Sequence, residues 1–304
     1  MPTTAVASSD LFPDPDHLDP THSRHDARET YTAWRPPTTT NIHYSDDNTS
    51  SGTTSTAETR IIDPSSLLPG GKMSLSGISN RAFILGVVLG VTSVITILLA
   101  LQPTPTPLWR VPFFISSLCF FHYLEFWVTA EYNTRYADVS SFLLSANGAA
   151  YNIAHGSAIV ECLVSHWLAP NGYIFNPDSV ISVSVTIVGL VLMIIGQIVR
   201  TSAMATAGSN FNHVVQVEHR QGHVLVTSGI YRLLRHPSYF GFFWWGLGTQ
   251  MVLKNVICFI GYALVLWRFF YSRIQREERF LVSFFGDNYV AYKRRTLVGI
   301  PFVA

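Results

Sequence analysis

The residues best suited to chemistry lie in the last third of the chain, around the sequence Arg235-His236-Pro237-Ser238-Tyr239. Pro237 is well placed to begin a helix, because its missing N–H and fixed φ cost nothing at the first helical position. The start of that helix would present free backbone N–H groups and a partial positive charge. With Arg235 and His236 beside it, the helix start is expected to form a small anion site, either for a ligand carboxylate or for lipid phosphates.

Three arginines, Arg200, Arg268 and Arg273, lie at or inside the ends of apolar segments. A charge at such a position costs several kcal/mol, so it usually faces a site or a partner. The alternative is that the side chain extends to the lipid headgroups at the membrane surface, and this is the better interpretation for Arg268. Arg273 lies one turn before Glu277-Glu278, and Glu277 could either pair with Arg273 at i, i+4 or bind a ligand.

Other polar residues in the apolar segments are expected to be structural. His122 and Glu125 share a face of one segment and His155 lies in the next, a pattern that favours hydrogen bonds between helices. The three cysteines lie singly in apolar runs, and their spacing with histidine matches no metal site or disulfide framework. We therefore expect no bound metal.

The elements that must position these residues are membrane helices. Hydrophobic residues make up 48% of the 304 residues and charged residues only 13%, whereas soluble domains carry roughly 25% charged residues. The sequence predicts an all-α integral membrane protein with about six transmembrane helices, a cytosolic ligand-binding loop (the cofactor-binding loop of the resemblance described below), and a C-terminal helix. The predicted segments are Ala82–Leu101, Leu108–Ala130, Val139–Leu168, Val180–Val199, Tyr239–Leu253 and Val256–Trp267.

The chain divides into a polar tail and a membrane domain. Residues 1–80 are rich in Ser, Thr, Pro and Asp, a composition that predicts disorder. Residues 81–304 form the membrane domain, with the catalytic region at 196–303. Basic residues follow the fourth segment (Arg200, Arg220, Arg232 and Arg235) and the sixth (Lys293, Arg294 and Arg295). The positive-inside rule places both groups, and therefore both termini, in the cytosol.

The stretches NFNHVVQ (210–216) and HVLVTSGIYRLLRHPSYFG (223–241), together with the later Glu277-Glu278, resemble the isoprenylcysteine carboxyl methyltransferases. RHPSY alone is weak, because phospholipid methyltransferases and sterol reductases carry similar signatures, but the combination is far more specific. The resemblance is strong from Gly196 to Phe302. It implies a multi-pass enzyme of the endoplasmic reticulum membrane that methylates the C-terminal carboxylate of prenylated CaaX proteins.

The resemblance also implies roles for individual residues. Arg273 is expected to bind the prenylated substrate, and Arg200 to lie at the active centre; both are candidate catalytic residues. Contacts to S-adenosylmethionine are expected from Gln216, His223, Val224, Leu225, Val226, Tyr231, His236, Pro237, Ser238, Tyr239 and Glu277. Membrane lipid and prenylated proteins are the expected partners, and no nucleic acid is expected.

The chemistry of this reaction agrees with the residues present. A free α-carboxylate has a pKa of about 3.5, so it is anionic at neutral pH and needs no general base. The lack of a Ser/His/Asp or Cys/His arrangement is therefore unsurprising, and the protein's task becomes alignment and exclusion of water. The alternatives are a phospholipid N-methyltransferase, an NADPH-dependent sterol reductase and an inactive membrane scaffold. The preference between farnesyl and geranylgeranyl groups is left open.

Overall fold

The computed structural model describes residues 63–102, 106–168, 179–219 and 222–303, and the regular elements within them are helices. The one isolated bridge in these ranges pairs Leu234 with Leu297. The expected all-α fold is confirmed. The helices are α1 Leu75–Ala100, α2 Arg110–Tyr132, α3 Gly148–Leu168, α4 Val180–Ala207, α5 Pro237–Leu253, α6 Ile257–Phe285 and α7 Asp287–Arg295.

Four of the described helical segments are long and apolar enough to cross a bilayer, so the predicted count of six is not confirmed. These four contain α1, α2, α4 and α6. The other two predicted segments correspond to α3, which carries Asn152, His155 and Glu161, and to α5, which has 17 residues. At a rise of about 1.5 Å per residue α5 is about 26 Å long, slightly less than a hydrocarbon core of about 30 Å.

Two helices extend well beyond the predicted segments. The prediction ended the fourth segment at Val199 and the sixth at Trp267, whereas α4 continues to Ala207 and α6 to Phe285. Both predictions stopped at the first arginine. Beyond that point Arg200, Arg273 and Glu277 form hydrogen bonds with other elements of the protein, so their charges do not have to end the helices. The extensions carry Arg200, Arg273 and Glu277 to one end of the bundle.

Helices α4 and α5 make the closest helix contact of the bundle through pairs of glycines. A Cβ atom on Gly241 would lie 2.5 Å from the carbonyl oxygen of Gly196 and 2.8 Å from the Cβ of Arg200. One on Gly248 would lie 2.6 Å from the carbonyl oxygen of Gly189. Small residues allow such close backbone approach between membrane helices. The contact fixes Arg200 against the first turns of α5.

The end of the bundle opposite Arg235 is held by polar contacts to α3. The carboxylate of Glu161 accepts the backbone N–H groups that open α6, at 2.8 Å from Val256 and Ile257 and 2.7 Å from Cys258. The side chain of Asn255, between α5 and α6, donates to the carbonyl of Ala158 at 2.9 Å. These bonds satisfy helix-end groups that would otherwise be orphaned.

The two histidines expected to join helices do so. His122 in α2 lies 2.8 Å from the carbonyl oxygen of Phe142 through Nδ1 and 3.0 Å from the Tyr151 hydroxyl through Nε2. His155 Nδ1 lies 2.7 Å from the Tyr262 hydroxyl. A short helical turn and a loop separate residue 139 from α3, so the predicted third segment is interrupted rather than continuous.

Helix α1 begins six residues before the predicted domain boundary at residue 81. Ser74 caps it, its hydroxyl accepting the backbone N–H of Gly77 at 3.1 Å. Just before the cap, the carbonyl of Lys72 accepts the N–H of Val139 at 2.8 Å. Residues 63–80 therefore contain ordered structure that belongs with the helices. The disorder predicted for residues 1–62 lies outside the described residues.

Candidate active site

A cleft with about 700 Å³ of empty space, including the part open to solvent, lies where the end of α4, the loop after it, the start of α5, the end of α6 and α7 meet. Its lining includes ten of the eleven predicted cofactor residues: His223, Val224, Leu225, Val226, Tyr231, His236, Pro237, Ser238, Tyr239 and Glu277. The eleventh, Gln216, lies outside this lining, where its side-chain amide donates to the carbonyl of Val214 at 3.2 Å. The structure therefore brings most of the predicted set together in one place.

Helix α5 begins at the cleft as the sequence predicts. Pro237 occupies the first turn, and the preceding His236 makes no side-chain hydrogen bond to cap the helix. The rings of His236 and Tyr239 stack with centroids 5.4 Å apart, and Tyr239 stacks on Phe270 at 5.1 Å. This aromatic column keeps the helix start rigid and places its positive end at the cleft wall.

Arg235, which the sequence places beside the expected anion site, is paired with a carboxylate in the structure. Arg235 Nε donates to Glu278 Oε1 at 2.6 Å, and a terminal nitrogen donates to the carbonyl of Thr296 at 2.9 Å. Lys293 donates to the other Glu278 oxygen at 2.5 Å, and His236 Nε2 lies 3.3 Å from Oε1. Arg235 and Lys293 therefore share the single negative charge of Glu278, so these three groups together keep a net positive charge beside the helix start.

The hydroxyl of Tyr239 connects the cleft to Arg273. It donates to Glu277 Oε2 at 2.5 Å and accepts from Arg273 Nε at 2.8 Å. A terminal nitrogen of Arg273 donates to the backbone carbonyl of His213. The arginine and Glu277 thus meet through the tyrosine. Arg273 has no carboxylate within ion-pair distance among the described residues.

Arg200 is buried and forms a two-pronged ion pair that the sequence analysis missed. Its Nε donates to Glu125 Oε1 at 2.5 Å and a terminal nitrogen donates to Oε2 at 2.7 Å. The remaining nitrogen donates to the hydroxyl of Ser238 at 3.0 Å. The guanidinium also lies 5.3 Å from the ring centres of Phe121 and Phe242. Glu125 thus makes the expected hydrogen bonds between helices, and these bonds also compensate the charge of Arg200.

The cleft also offers aromatic surfaces and an unused polar group. The rings of His223 and Phe285, both in its lining, lie edge to face at 5.2 Å. The hydroxyl of Tyr289 is buried with no hydrogen-bond partner in the described part of the protein. Burial raises the pKa of this phenol and brings that of Tyr292 to about 12, so both remain protonated at neutral pH. Such a cleft fits a ligand with an aromatic ring, hydroxyl groups and separated charges.

Comparison with known proteins places these features in a family. A model of the isoprenylcysteine carboxyl methyltransferase (ICMT) family matches residues 188–283. The protein-S-isoprenylcysteine O-methyltransferase of Saccharomyces cerevisiae is 46% identical over 190 residues, which cover 62% of this chain and 79% of that protein. The enzyme of that name from Xenopus laevis is 41% identical over 234 residues, 76% of each chain. A solved structure of the eukaryotic intramembrane Ras methyltransferase ICMT superposes with a TM-score of 0.65 at 37% identity, covering 75% of this chain and 77% of that one.

Proposed function

This chain belongs to the isoprenylcysteine carboxyl methyltransferase family and methylates prenylated cysteine, and we propose that its methyl donor is S-adenosylmethionine bound in the cleft. The observation that carries this proposal is the convergence of ten residues on one cleft, with Arg273 joined to that cleft through Tyr239. The acceptor is the C-terminal carboxylate of a prenylated CaaX protein.

The chain's residues fit the donor. Its carboxylate suits the positive start of α5, where Ser238 and Tyr239 line the cleft. Its ammonium group or its ribose hydroxyls could donate hydrogen bonds to Glu277, and its adenine could pack against the rings of His223 and Phe285. The buried hydroxyl of Tyr289 needs a polar partner, which an occupied cleft would supply. When bound, S-adenosylmethionine supplies an electrophilic methyl group carried by a sulfonium.

Arg273 is the better of the two arginines for binding the acceptor carboxylate. Arg200 has its charge compensated by Glu125, whereas the described hydrogen bonds of Arg273 go to the neutral oxygens of Tyr239 and His213. A carboxylate would complete the charge balance of Arg273, and the planar guanidinium fork suits it. Arg200 then fixes Ser238 and the helix start beside the reacting atoms.

No proton has to move in this reaction, because the carboxylate is already ionised at neutral pH. The residues around the site therefore act by alignment and by keeping water out. The rings of Phe121 and Phe242 lie against the Arg200 guanidinium, and Trp245 packs on both rings. Such surroundings favour the neutralisation of opposite charges that methyl transfer brings about, since few water molecules must be displaced.

We further propose that the enzyme lies in the endoplasmic reticulum membrane with both termini in the cytosol. Arg232, Arg235 and the basic end of α7 lie at the cleft end of the bundle, and the positive-inside rule supports a cytosolic position for them. Tags at either end should be reached by antibodies in cells whose plasma membrane alone is permeabilised. Protection of both tags until internal membranes are opened would contradict this orientation.

The function is tested with the full chain in lipid nanodiscs, using S-adenosylmethionine that carries a radioactive methyl group. With N-acetyl-S-farnesylcysteine, we expect label in an ester that mild alkali hydrolyses. The matched control is the same compound with its carboxylate already methylated, which should take up no label. Alkali-stable label in phosphatidylethanolamine, with none in the cysteine, would instead identify a phospholipid N-methyltransferase. An S-geranylgeranyl acceptor in parallel measures the prenyl preference.

A further inference from the structure

Two basic side chains lie together at the end of the bundle opposite the cleft. Arg110 is the first residue of α2, and Lys254 directly follows the last residue of α5. The residues next to them in sequence, Val111 and Leu253, pack in one apolar cluster. Neither basic side chain has a carboxylate within ion-pair distance among the described residues, and Arg110 Nε is buried there without a hydrogen-bond partner. Within the described part of the chain, the pair therefore has two positive charges and no counter-charge.

This arrangement is electrostatically costly in three ways. Burial and, to a smaller extent, the charge of Arg110 lower the pKa of Lys254 to about 8. Arg110 also stands at the positive end of the α2 dipole. In the proposed orientation both residues lie on the lumenal side, where the positive-inside rule disfavours basic residues. Glu161 does not offset these costs, because its oxygens accept the backbone N–H groups that open α6. A bound anion would offset all three.

A histidine of α3 lies beside this pair with an unused polar atom. Arg110 is close enough to the thiol of Cys162 in α3 for the two groups to interact electrostatically. His166 lies at i+4 from Cys162, on the same face of the helix, and its Nδ1 is buried without a hydrogen-bond partner among the described residues. Buried polar atoms nearly always have a partner. A ligand with several oxygen atoms would satisfy both Arg110 Nε and His166 Nδ1.

The surroundings of this group favour a lipid over a soluble anion. Large apolar side chains at the same end are exposed, among them Trp167 and Leu168 at the end of α3 and Ile257 at the start of α6. In a bilayer these side chains face lipid, and tryptophan is typical of the level of the headgroups. A phosphodiester offers its oxygens to a guanidinium fork. A zwitterionic headgroup brings its own cation, so an anionic phospholipid is needed to supply the missing negative charge.

From these contacts we propose that Arg110, Lys254 and His166 bind the phosphodiester of an anionic phospholipid in the lumenal leaflet. The lipid joins the ends of α2, α5 and α3, because each of these helix ends contributes one of the three residues. It takes no part in methyl transfer, since the site lies at the opposite end from the cleft. The leaflet follows from the proposed orientation, whereas the binding itself does not depend on the proposed function.

The first measurement uses the full chain in nanodiscs of phosphatidylcholine, with and without phosphatidylglycerol as the anionic probe. We expect phosphatidylglycerol to raise the melting temperature. Soluble glycerol 3-phosphate, added to nanodiscs of phosphatidylcholine alone, should leave it unchanged. Equal melting temperatures in the two lipid mixtures would overturn the proposal. Equal stabilisation by glycerol 3-phosphate would show that the occupant is a soluble anion and would overturn the assignment to a lipid.

The second measurement locates the effect on the protein. In Arg110→Gln/Lys254→Asn, the affinity of the tightest-bound phosphatidylglycerol, titrated by native mass spectrometry in neutral detergent, should fall roughly 10- to 100-fold. Asparagine is chosen at residue 254 because the backbone there is left-handed, with a φ of 60°, and asparagine tolerates that conformation better than most residues. Lys254→Asn alone should show an intermediate loss, which provides the same test if the double variant does not fold.

Arg276→Gln/Arg279→Gln is the matched control, because it removes two positive charges from exposed positions of α6 near the cleft end. It should keep the wild-type affinity and the stabilisation by phosphatidylglycerol. Equal weakening in the two double variants, or unchanged affinity in Arg110→Gln/Lys254→Asn, would overturn the site. A protein that binds phosphatidylglycerol as expected but methylates no prenylcysteine would contradict the proposed function alone, which separates the two failures.

Discussion

Among the described residues, Arg273 donates hydrogen bonds to two neutral oxygens, the hydroxyl of Tyr239 and the backbone carbonyl of His213. We expect Arg273→Ala to cost about 2–5 kcal/mol of transition-state stabilisation, or roughly 30-fold to several thousand-fold in kcat/KM for a farnesylcysteine acceptor. Arg273→Lys should also be impaired, because an ammonium is a point charge and cannot replace the guanidinium fork. The dissociation constant of S-adenosylmethionine should hardly change.

Arg279→Lys is the matched control for Arg273. Arg279 lies on the same helix, is exposed, and donates to the carbonyl of Gln275 within that helix. It should retain wild-type kinetics. Near-normal methylation by Arg273→Ala would exclude Arg273 as the carboxylate ligand. Loss of cofactor binding would assign Arg273 to the cofactor and leave Arg200 as the candidate for the carboxylate.

We expect substitutions in the Arg200–Glu125 ion pair to affect the stability of the protein and its activity differently. Removing one partner leaves a buried charge uncompensated, so Glu125→Gln or Arg200→Met should destabilise by about 3–5 kcal/mol. The double variant Glu125→Leu/Arg200→Met should recover most of the melting temperature, since apolar replacements of buried pairs are often tolerated. Its methylation rate should stay low, because the bond to Ser238 is lost as well.

Glu131→Gln, an exposed carboxylate at the end of the same helix, should change neither property. If the double variant recovered full activity, Arg200 would be structural and its assignment as a catalytic residue would be wrong. Melting by intrinsic fluorescence and initial rates on the same samples separate the two effects.

With the ends of the helices known, this pair could be predicted from depth alone. The segments predicted from the sequence ended at Ala130 and Val199 and did not place the two charges at equal depth. Glu125 lies seven residues before the end of α2 (132 − 125) and Arg200 seven before the end of α4 (207 − 200), and both helices end at the cleft side. Opposite charges at equal depth in a membrane are expected to meet. The contacts of Arg235 with Glu278 and of Tyr239 with Glu277 could not be predicted in this way, because they depend on how a loop and three helix ends pack.

Among the helices, the glycine contact between α4 and α5 predicts sensitivity to one added methyl group. Gly241→Ala places a Cβ 2.5 Å from the Gly196 carbonyl and 2.8 Å from the Cβ of Arg200. The helices must separate, at a cost of about 1–3 kcal/mol, and Arg200 moves away from Ser238. We expect a lower melting temperature and a reduced kcat.

Gly90→Ala is the matched control, because a Cβ on this α1 glycine meets nothing within 4 Å. Alanine favours a helix more than glycine does, so this variant should be at least as stable as the wild type. Equal tolerance of both substitutions would show that α4 and α5 can separate without loss of function.

The sequence predicted where the helices lie along the chain more accurately than it predicted their lengths. Apolar runs located α1, α2, α4 and α5, because the bilayer demands length and hydrophobicity. Hydropathy could not predict where α6 ends, since its last four turns are polar on one side and supported by the cleft loop and α7. The interruption before α3 was not hidden in the same way, because the polar residues of the third segment already left open a bent span or a span plus an interfacial piece.

At the scale of the whole molecule, the functional unit should begin near residue 63. The contact between Lys72 and Val139 and the Ser74 cap join this segment to the helices. A chain starting at residue 63 should insert and methylate at close to the full-length rate. A chain starting at residue 79 loses the cap and the first turn of α1, and should lose about 1 kcal/mol of stability or more.

Thermal unfolding and initial rates of the two shortened chains in nanodiscs check this boundary against the full-length protein. Normal insertion with greatly reduced turnover in the chain from residue 63 would make residues 1–62 part of the catalytic unit. Equal melting temperatures for the two shortened chains would show that the Ser74 cap contributes little.

The two hydrogen bonds of the Tyr239 hydroxyl have a consequence for how each substrate affects the affinity of the other. This hydroxyl is hydrogen-bonded both to Glu277, which lines the cleft, and to Arg273, the proposed ligand of the acceptor carboxylate. A ligand that changes one of these two bonds should therefore change the other. Thermodynamic linkage makes such cooperativity reciprocal, so each substrate must change the affinity of the other by the same factor. Titrating the cofactor in the presence and in the absence of a non-reactive farnesylcysteine amide should reveal this coupling, and Tyr239→Phe should abolish it. Independent affinities in the wild-type protein would show that the hydroxyl does not couple the two sites.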